Sequence, residues 1–81
     1  MTDDRVRAAI VTELASRGYD FSDAADDLDL IGAGVNSAAL IQTLSALEDV
    51  FEIDLDAERL FSGPVTVARL IAEITRSAAL R

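Results

Sequence analysis

The chain has 81 residues, a length that suits one small domain, read as residues 1–81. Fifteen acidic residues against seven basic ones, all of them arginine, leave a net charge of −8. Such a surface repels nucleic-acid backbones and anionic membranes and suits partners with basic patches. With no cysteine and no histidine, disulfides, cysteine-based metal sites and a serine–histidine–aspartate relay are excluded.

Hydrophobic residues make up 51% of the chain, too many for a disordered acidic tail. Polar or charged residues interrupt every apolar stretch after a few positions, so no segment is suited to span a bilayer. The Met1-Thr2-Asp3-Asp4 start lacks the basic and apolar regions of a secretion signal, so the expected compartment is the cytoplasm.

The first predicted helix covers residues 3–17. Val6, Ile10 and Leu14 recur every four positions with Val11 widening the stripe, and Glu13 precedes Arg17 by one turn. Thr2 or Asp3 is the expected cap and Gly18 the stop. A long connection follows from Tyr19 to Asn36, carrying Asp20, Asp23, Asp26, Asp27 and Asp29. Phe21, Leu28, Leu30 and Ile31 are expected to fold it back onto the helices, since a structureless loop of this length is unusual. Gly32 and Gly34 mark a tight turn before the next element.

The second predicted helix, 37–52, is the clearest. Leu40, Leu44, Leu47 and Phe51 form one stripe with Ile41 and Val50 beside it, and Asn36 or Ser37 occupies the cap position. A single turn is expected from Ala57 to Leu60 or Phe61, broken by Ser62-Gly63-Pro64. The last helix starts at Thr66, buries Val67, Leu70, Ile71 and Ile74, and runs to about residue 79. No alternation is long enough to predict a strand. The expected fold is all-α: a small four-helix bundle, three main helices and one short one, with a long first connection.

Chemistry concentrates in Asp27-Leu28-Asp29-Leu30-Ile31-Gly32-Ala33-Gly34-Val35-Asn36-Ser37-Ala38-Ala39-Leu40. It places a serine at the first turn of an amphipathic helix, after a glycine turn and an acidic loop. On its own, such a serine reads as a plain helix cap. The segment resembles the attachment motif of acyl and peptidyl carrier proteins, commonly written Gly-x-Asp-Ser-Leu. The resemblance covers nearly the whole chain. It includes the first helix and loop, Ser37 opening the second helix, the run Leu47-Glu48-Asp49-Val50-Phe51-Glu52-Ile53, the short third helix, and Thr66-Val67 opening the fourth.

The resemblance implies a non-catalytic carrier. A phosphopantetheinyl transferase would use coenzyme A and a metal ion to attach 4′-phosphopantetheine to the Ser37 hydroxyl. The arm's thiol would then hold an acyl or aminoacyl group delivered by a loading enzyme (an acyltransferase or adenylation enzyme) and passed to a downstream synthase or transferase. A monomer is the family expectation. The helix start suits a phosphodiester, because its free N–H groups carry partial positive charge. The other serines, Ser16, Ser22, Ser45, Ser62 and Ser77, lack the glycine turn and the helix start together.

Two positions depart from the motif. Asn36 stands where the family usually has Asp, and Ala38 where it usually has Leu. Both point away from primary fatty-acid synthesis and resemble discrete carriers of polyketide pathways; a peptidyl carrier of a nonribosomal-peptide or hybrid pathway is the alternative. An unmodified acidic docking module is a second alternative.

The face opposite the apolar stripe of the second helix carries Ala38, Gln42, Ser45, Asp49 and Glu52, with Glu48 adding a third carboxylate near the helix C-terminus. The helix dipole disfavours each by roughly 0.3–1 kcal/mol there, so this face reads as a docking surface for basic enzymes. With Asn36 and Ala38 beside Ser37, the expected partner-binding residues are Asn36, Ala38, Gln42, Glu48, Asp49 and Glu52. The five loop aspartates do not follow a calcium-loop spacing and read as solvated charges. Ala39 and Ala46 either leave room for a tethered chain or simply allow close helix packing.

Overall fold

The computed structural model describes residues 2–80; Met1 and Arg81 lie outside the described residues. Four helices, α1 (Asp3–Ala15), α2 (Ser37–Phe51), α3 (Ala57–Phe61) and α4 (Val67–Ala79), account for its regular structure, with no strand among the described residues. The expected all-α bundle is the fold that forms. Helix α1 packs against both α2 and α4. Val6, Ile10 and Leu14 of α1, Leu40, Leu44 and Leu47 of α2, and Leu70 and Ile74 of α4 meet in one core.

Each helix starts on an oxygen-bearing side chain. Thr2 accepts from the Arg5 N–H, Asp56 from Arg59 and Thr66 from Arg69, which satisfies donors that a helix leaves unpaired at its start. Helix α1 ends at Ala15, two residues before the expected end. Residues 16–18 instead form a turn in which Gly18, at φ +92°, sends its N–H to Ala15 O and Tyr19 N–H reaches Leu14 O at 3.0 Å. A positive φ of this kind suits glycine, which has no Cβ to clash.

The expected stripe on α2 forms, with Phe51 packed against the core, but its flanks differ from expectation. Leu40, Thr43, Leu44 and Leu47 are buried, whereas Ile41 and Val50 are 53% and 55% exposed. At about 100° of rotation per residue, the buried arc runs from Thr43 to Leu44. Ile41 falls beyond its Leu44 edge, and Val50 lies at its Thr43 edge in the last turn. Thr43 tolerates burial because its hydroxyl donates to Ala39 O at 2.9 Å.

The long connection is ordered by short turns and by bonds to the first turn of α4 and to Val65 just before it. Leu30 N–H donates to Val65 O at 2.9 Å, and Ala68 N–H donates to Asp26 O at 3.0 Å. Leu30 and Val35 are buried, and Tyr19 and Phe21 pack against the core. Ile31, expected to fold inward, is 42% exposed because the turn at 30–34 points it outward.

Three of the loop aspartates are more than solvated charges. Asp20 accepts from Ser22 N–H and hydroxyl, and Asp29 accepts from Gly32 N–H at 3.2 Å. Asp26 takes both arms of the Arg7 guanidinium: Nε donates to Oδ1 at 3.0 Å, and Nη2 donates to Oδ2. Arg7 also donates to Asp4 at 3.0 Å. This clasp ties the loop to α1. Among the described residues no three acidic side chains converge as a metal-binding group.

The Arg7 hydrogen bond, aided by its charge and opposed by partial desolvation, holds the Asp26 carboxyl below the ordinary carboxylate range. A depressed folded-state pKa means the stabilisation is present above the unfolded value and is lost as pH falls through the folded one. Thermal melts from about pH 5 down to pH 2 are therefore expected to show a smaller acid-induced fall in Tm for Asp26→Asn than for the unsubstituted chain. Equal falls would leave the clasp without a role in acid stability.

Candidate functional site

The turn before α2 has to leave the core and reach the surface within a few residues. Gly32 N–H is tied to the Asp29 carboxylate, Ala33 N–H to Asp29 O and Gly34 N–H to Ile31 O. Gly34 takes φ +110°, a conformation that L side chains adopt only under strain. Val35, 2% exposed, plugs back into the core and donates its N–H to Leu30 O at 3.0 Å. The next two residues, Asn36 and Ser37, are exposed.

Asn36 is the N-cap of α2. Its side-chain oxygen accepts from Ala38 N–H at 2.7 Å, and its carbonyl accepts from Leu40 N–H at 3.0 Å. Of the two expected cap residues, then, Asn36 takes the role. Ser37 is the first helical residue, and its hydroxyl is exposed and makes no hydrogen bond among the described residues. A serine used as a cap would spend this oxygen on a backbone N–H. This one does not.

Beyond the cap, Ala38, Gln42, Ser45, Asp49 and Glu52 are all exposed and lie along one side of α2. Glu48 is only half-exposed, and its Oε2 accepts from Leu55 N–H at 2.9 Å while its carbonyl accepts from Ile53 N–H. This carboxylate holds the chain as it leaves α2, which supplies the stabilising reason that sequence left unseen. Glu52 closes the helix at φ +54°. A shallow groove lined by Ser45, Glu48, Asp49, Glu52, Ile53 and Asp54 runs beside this end. It lies about three turns from Ser37, roughly 18 Å along the axis.

Two residues near Ser37 escaped the sequence reading. Ile41 is exposed one turn along the same face, a position hidden by its place beside the apolar stripe. Tyr19 reaches the site from the far end of the long loop, its hydroxyl accepting from Asn36 N–H at 3.4 Å. No local sequence signal could have paired them.

A family model described as a phosphopantetheine attachment site matches residues 4–75. The chain belongs to this family. The match takes in all of α2 and α3 and most of α1 and α4. No curated protein and no solved structure is significantly similar to it. Membership makes this a non-catalytic carrier module of the phosphopantetheine-attachment type, a family that works with phosphopantetheinyl transferases, loading enzymes and downstream enzymes. Among the described residues no helix is long and apolar enough to cross a membrane.

The residues at the start of α2 fit such a group. They offer one uncommitted hydroxyl on the surface, and the N–H groups of Ser37 and Ala39 have no acceptor among the described residues. Those donors and the positive end of the helix dipole favour a phosphodiester oxygen nearby. The cap assignment is open to direct test. Asn36→Ala is expected to cost about 1 kcal/mol of folding stability and Ser37→Ala no more than about 0.5 kcal/mol, read by denaturant unfolding. The reverse order would make Ser37 the cap.

Proposed function

We propose that Ser37 is the attachment residue and that this chain carries acyl or aminoacyl intermediates in a natural-product pathway, polyketide assembly first. The observation that carries the proposal is the exposed Ser37 hydroxyl, left uncommitted because Asn36 does the capping. In attachment, the Ser37 oxygen forms a bond to the pantetheine-bearing phosphorus of coenzyme A. The bond from that phosphorus to the adenosine bisphosphate breaks, and the serine proton passes to a base of the transferase. Bound at Ser37, the arm supplies a thiol that holds the cargo as a thioester. The chain's own part is to present the hydroxyl, offer N–H groups to the phosphodiester and dock each enzyme in turn.

Asn36 and Ala38 support the pathway reading. Asn36 keeps a capping oxygen but brings no charge beside the phosphodiester, and Ala38 offers little apolar surface. Enzymes that expect an acidic residue and a leucine there would meet a different surface. A monomer in the cytoplasm is the form that suits a shuttle.

Incubation with coenzyme A, magnesium and a promiscuous phosphopantetheinyl transferase is expected to raise the intact mass by one phosphopantetheine. Ser37→Ala should abolish the gain. An unmodified chain, under conditions that load a control carrier, would overturn the assignment.

Docking is assigned to the exposed side of α2: Asn36, Ala38, Gln42, Asp49 and Glu52, with Glu48 contributing the carboxylate oxygen that Leu55 does not use. Asp49 and Glu52 make no ion pair among the described residues, so their charge is available to basic partners. Asp49→Lys and Glu52→Lys are each expected to raise the KM of the transferase for this carrier by about two- to fivefold at low salt. The effect should shrink as ionic strength rises. A KM that ignores both charge and salt would remove these residues from the interface.

A further inference from the structure

In a full capping box, the side chain of the third helical residue reaches back to the N–H of the cap residue. The third residue of α2 is Ala39, which has no acceptor to offer. Asn36 makes only the forward cap bond, its Oδ1 accepting from the N–H of Ala38, the second helical residue, at 2.7 Å. The missing half comes from elsewhere in the fold: the Tyr19 hydroxyl accepts from Asn36 N–H at 3.4 Å, across 17 residues of chain.

Tyr19 is well placed to act as a fixed support. Its own N–H donates to Leu14 O at 3.0 Å, in the turn that Gly18 makes possible. Its ring is half-buried and packs against the hydrophobic core. The end of α1, the ring and the hydroxyl thus form a strut that ends on the peptide N–H one residue before Ser37. On the other side of that peptide, Val35 is locked in the core. With both neighbours held, Asn36 keeps φ −64° and ψ 137°, and these angles set the direction from which Ser37 enters the helix.

We propose that Tyr19 is a positioning residue for the Ser37 hydroxyl, acting through the Asn36 N–H as the missing half of the capping box. This rests on the reading of Ser37 as the attachment residue. Tyr19 is not itself among the docking residues and bonds only the backbone N–H of Asn36, whose side chain stays held by Ala38 N–H, so its loss should disturb the presentation of the hydroxyl and leave the docking side chains in place.

The full chain carrying Tyr19→Phe keeps the ring and loses only the acceptor. Amide hydrogen exchange at Asn36 is expected to accelerate by about two- to tenfold, the range of one modest hydrogen bond. The kcat of a promiscuous phosphopantetheinyl transferase acting on this carrier should fall by a similar factor, with KM unchanged. Adding Ala39→Gln to Tyr19→Phe supplies an acceptor at the third helical position, and should recover both readouts. Unchanged exchange at Asn36, or faster exchange with kcat unaltered, overturns the positioning role. A rise in KM with kcat intact does so too, since it would place Tyr19 in docking. Failure of the unsubstituted chain to be modified at all would overturn the reading of Ser37 and this role with it. A modified chain indifferent to Tyr19→Phe would overturn this role alone.

Discussion

Between Val35 and Ser37 the backbone passes from a nearly sealed core to open solvent, and the rest of the site depends on how that passage is held. An apolar side chain gains roughly 1.5–3 kcal/mol from full burial, so Val35 is a firm anchor. Its N–H is satisfied by Leu30 O, and Leu30 is in turn tied to Val65 O next to α4. The positive φ of Gly34 turns the chain sharply enough for the following residue to begin a helix at the surface. The Leu30–Val65 bond, with the Ala68–Asp26 bond and the Arg7–Asp26 clasp, fixes the height of the loop above the core; losing these ties would leave that height unset. The first turn of α2 would then be free to fray, as helix ends do when their caps are not held. The exposure of Ser37 is thus a consequence of where Leu30 and Val35 are buried.

The charge distribution follows from a shortage of cations. Most of the described arginines are committed to structure. Arg7 clasps Asp26 and Asp4, Arg17 pairs with Glu13 at 3.1 Å, and Arg59 and Arg76 share Glu73. Arg69 donates to the carbonyls of Leu60, Arg59 and Pro64, closing the C-terminal end of α3. Arginine suits this work because its planar fork reaches several acceptors at once, which a lysine ammonium does less well. The acids around α1, α3 and α4 are therefore partly neutralised, while Asp49 and Glu52 on the outer side of α2 are not.

What was legible in the sequence was whatever depends on near neighbours. The apolar spacing of Val6, Ile10 and Leu14 and of Leu70, Ile71 and Ile74 located α1 and α4, and cap residues located the helix starts to within one position. What was not legible depends on contacts made across the fold. Ile41 and Val50 belong to an apolar pattern by composition, but burial is decided by where α1 and α4 lie. Thr43 is the buried residue because its hydroxyl can be satisfied within its own helix. Asp26 reads in the sequence as a solvated charge and Glu48 as a docking carboxylate, because the Arg7 and the Leu55 N–H that hold them are 19 and 7 residues away. Tyr19 fits a core-edge role, and only its distance from Asn36 shows a second use.

The division of work between Asn36 and Ser37 bears on why a carrier would be built this way. Serine is among the best N-cap residues, so a serine next to a helix start invites use as a cap. If Ser37 capped α2, esterifying its hydroxyl would compete with the hydrogen bond that begins the helix, and modification would cost about as much as losing a cap. Placing Asn36 at the cap and Ser37 one residue further along removes that conflict. Asn36 Oδ1 keeps Ala38 N–H whether or not the neighbouring oxygen is modified. The N–H groups of Ser37 and Ala39 would remain available to a phosphodiester formed there. A neutral cap would also spare that phosphodiester the repulsion of a carboxylate at this range. On this argument Asn36 is compatible with attachment at Ser37, and what its neutrality changes is the electrostatic surface offered to partner enzymes.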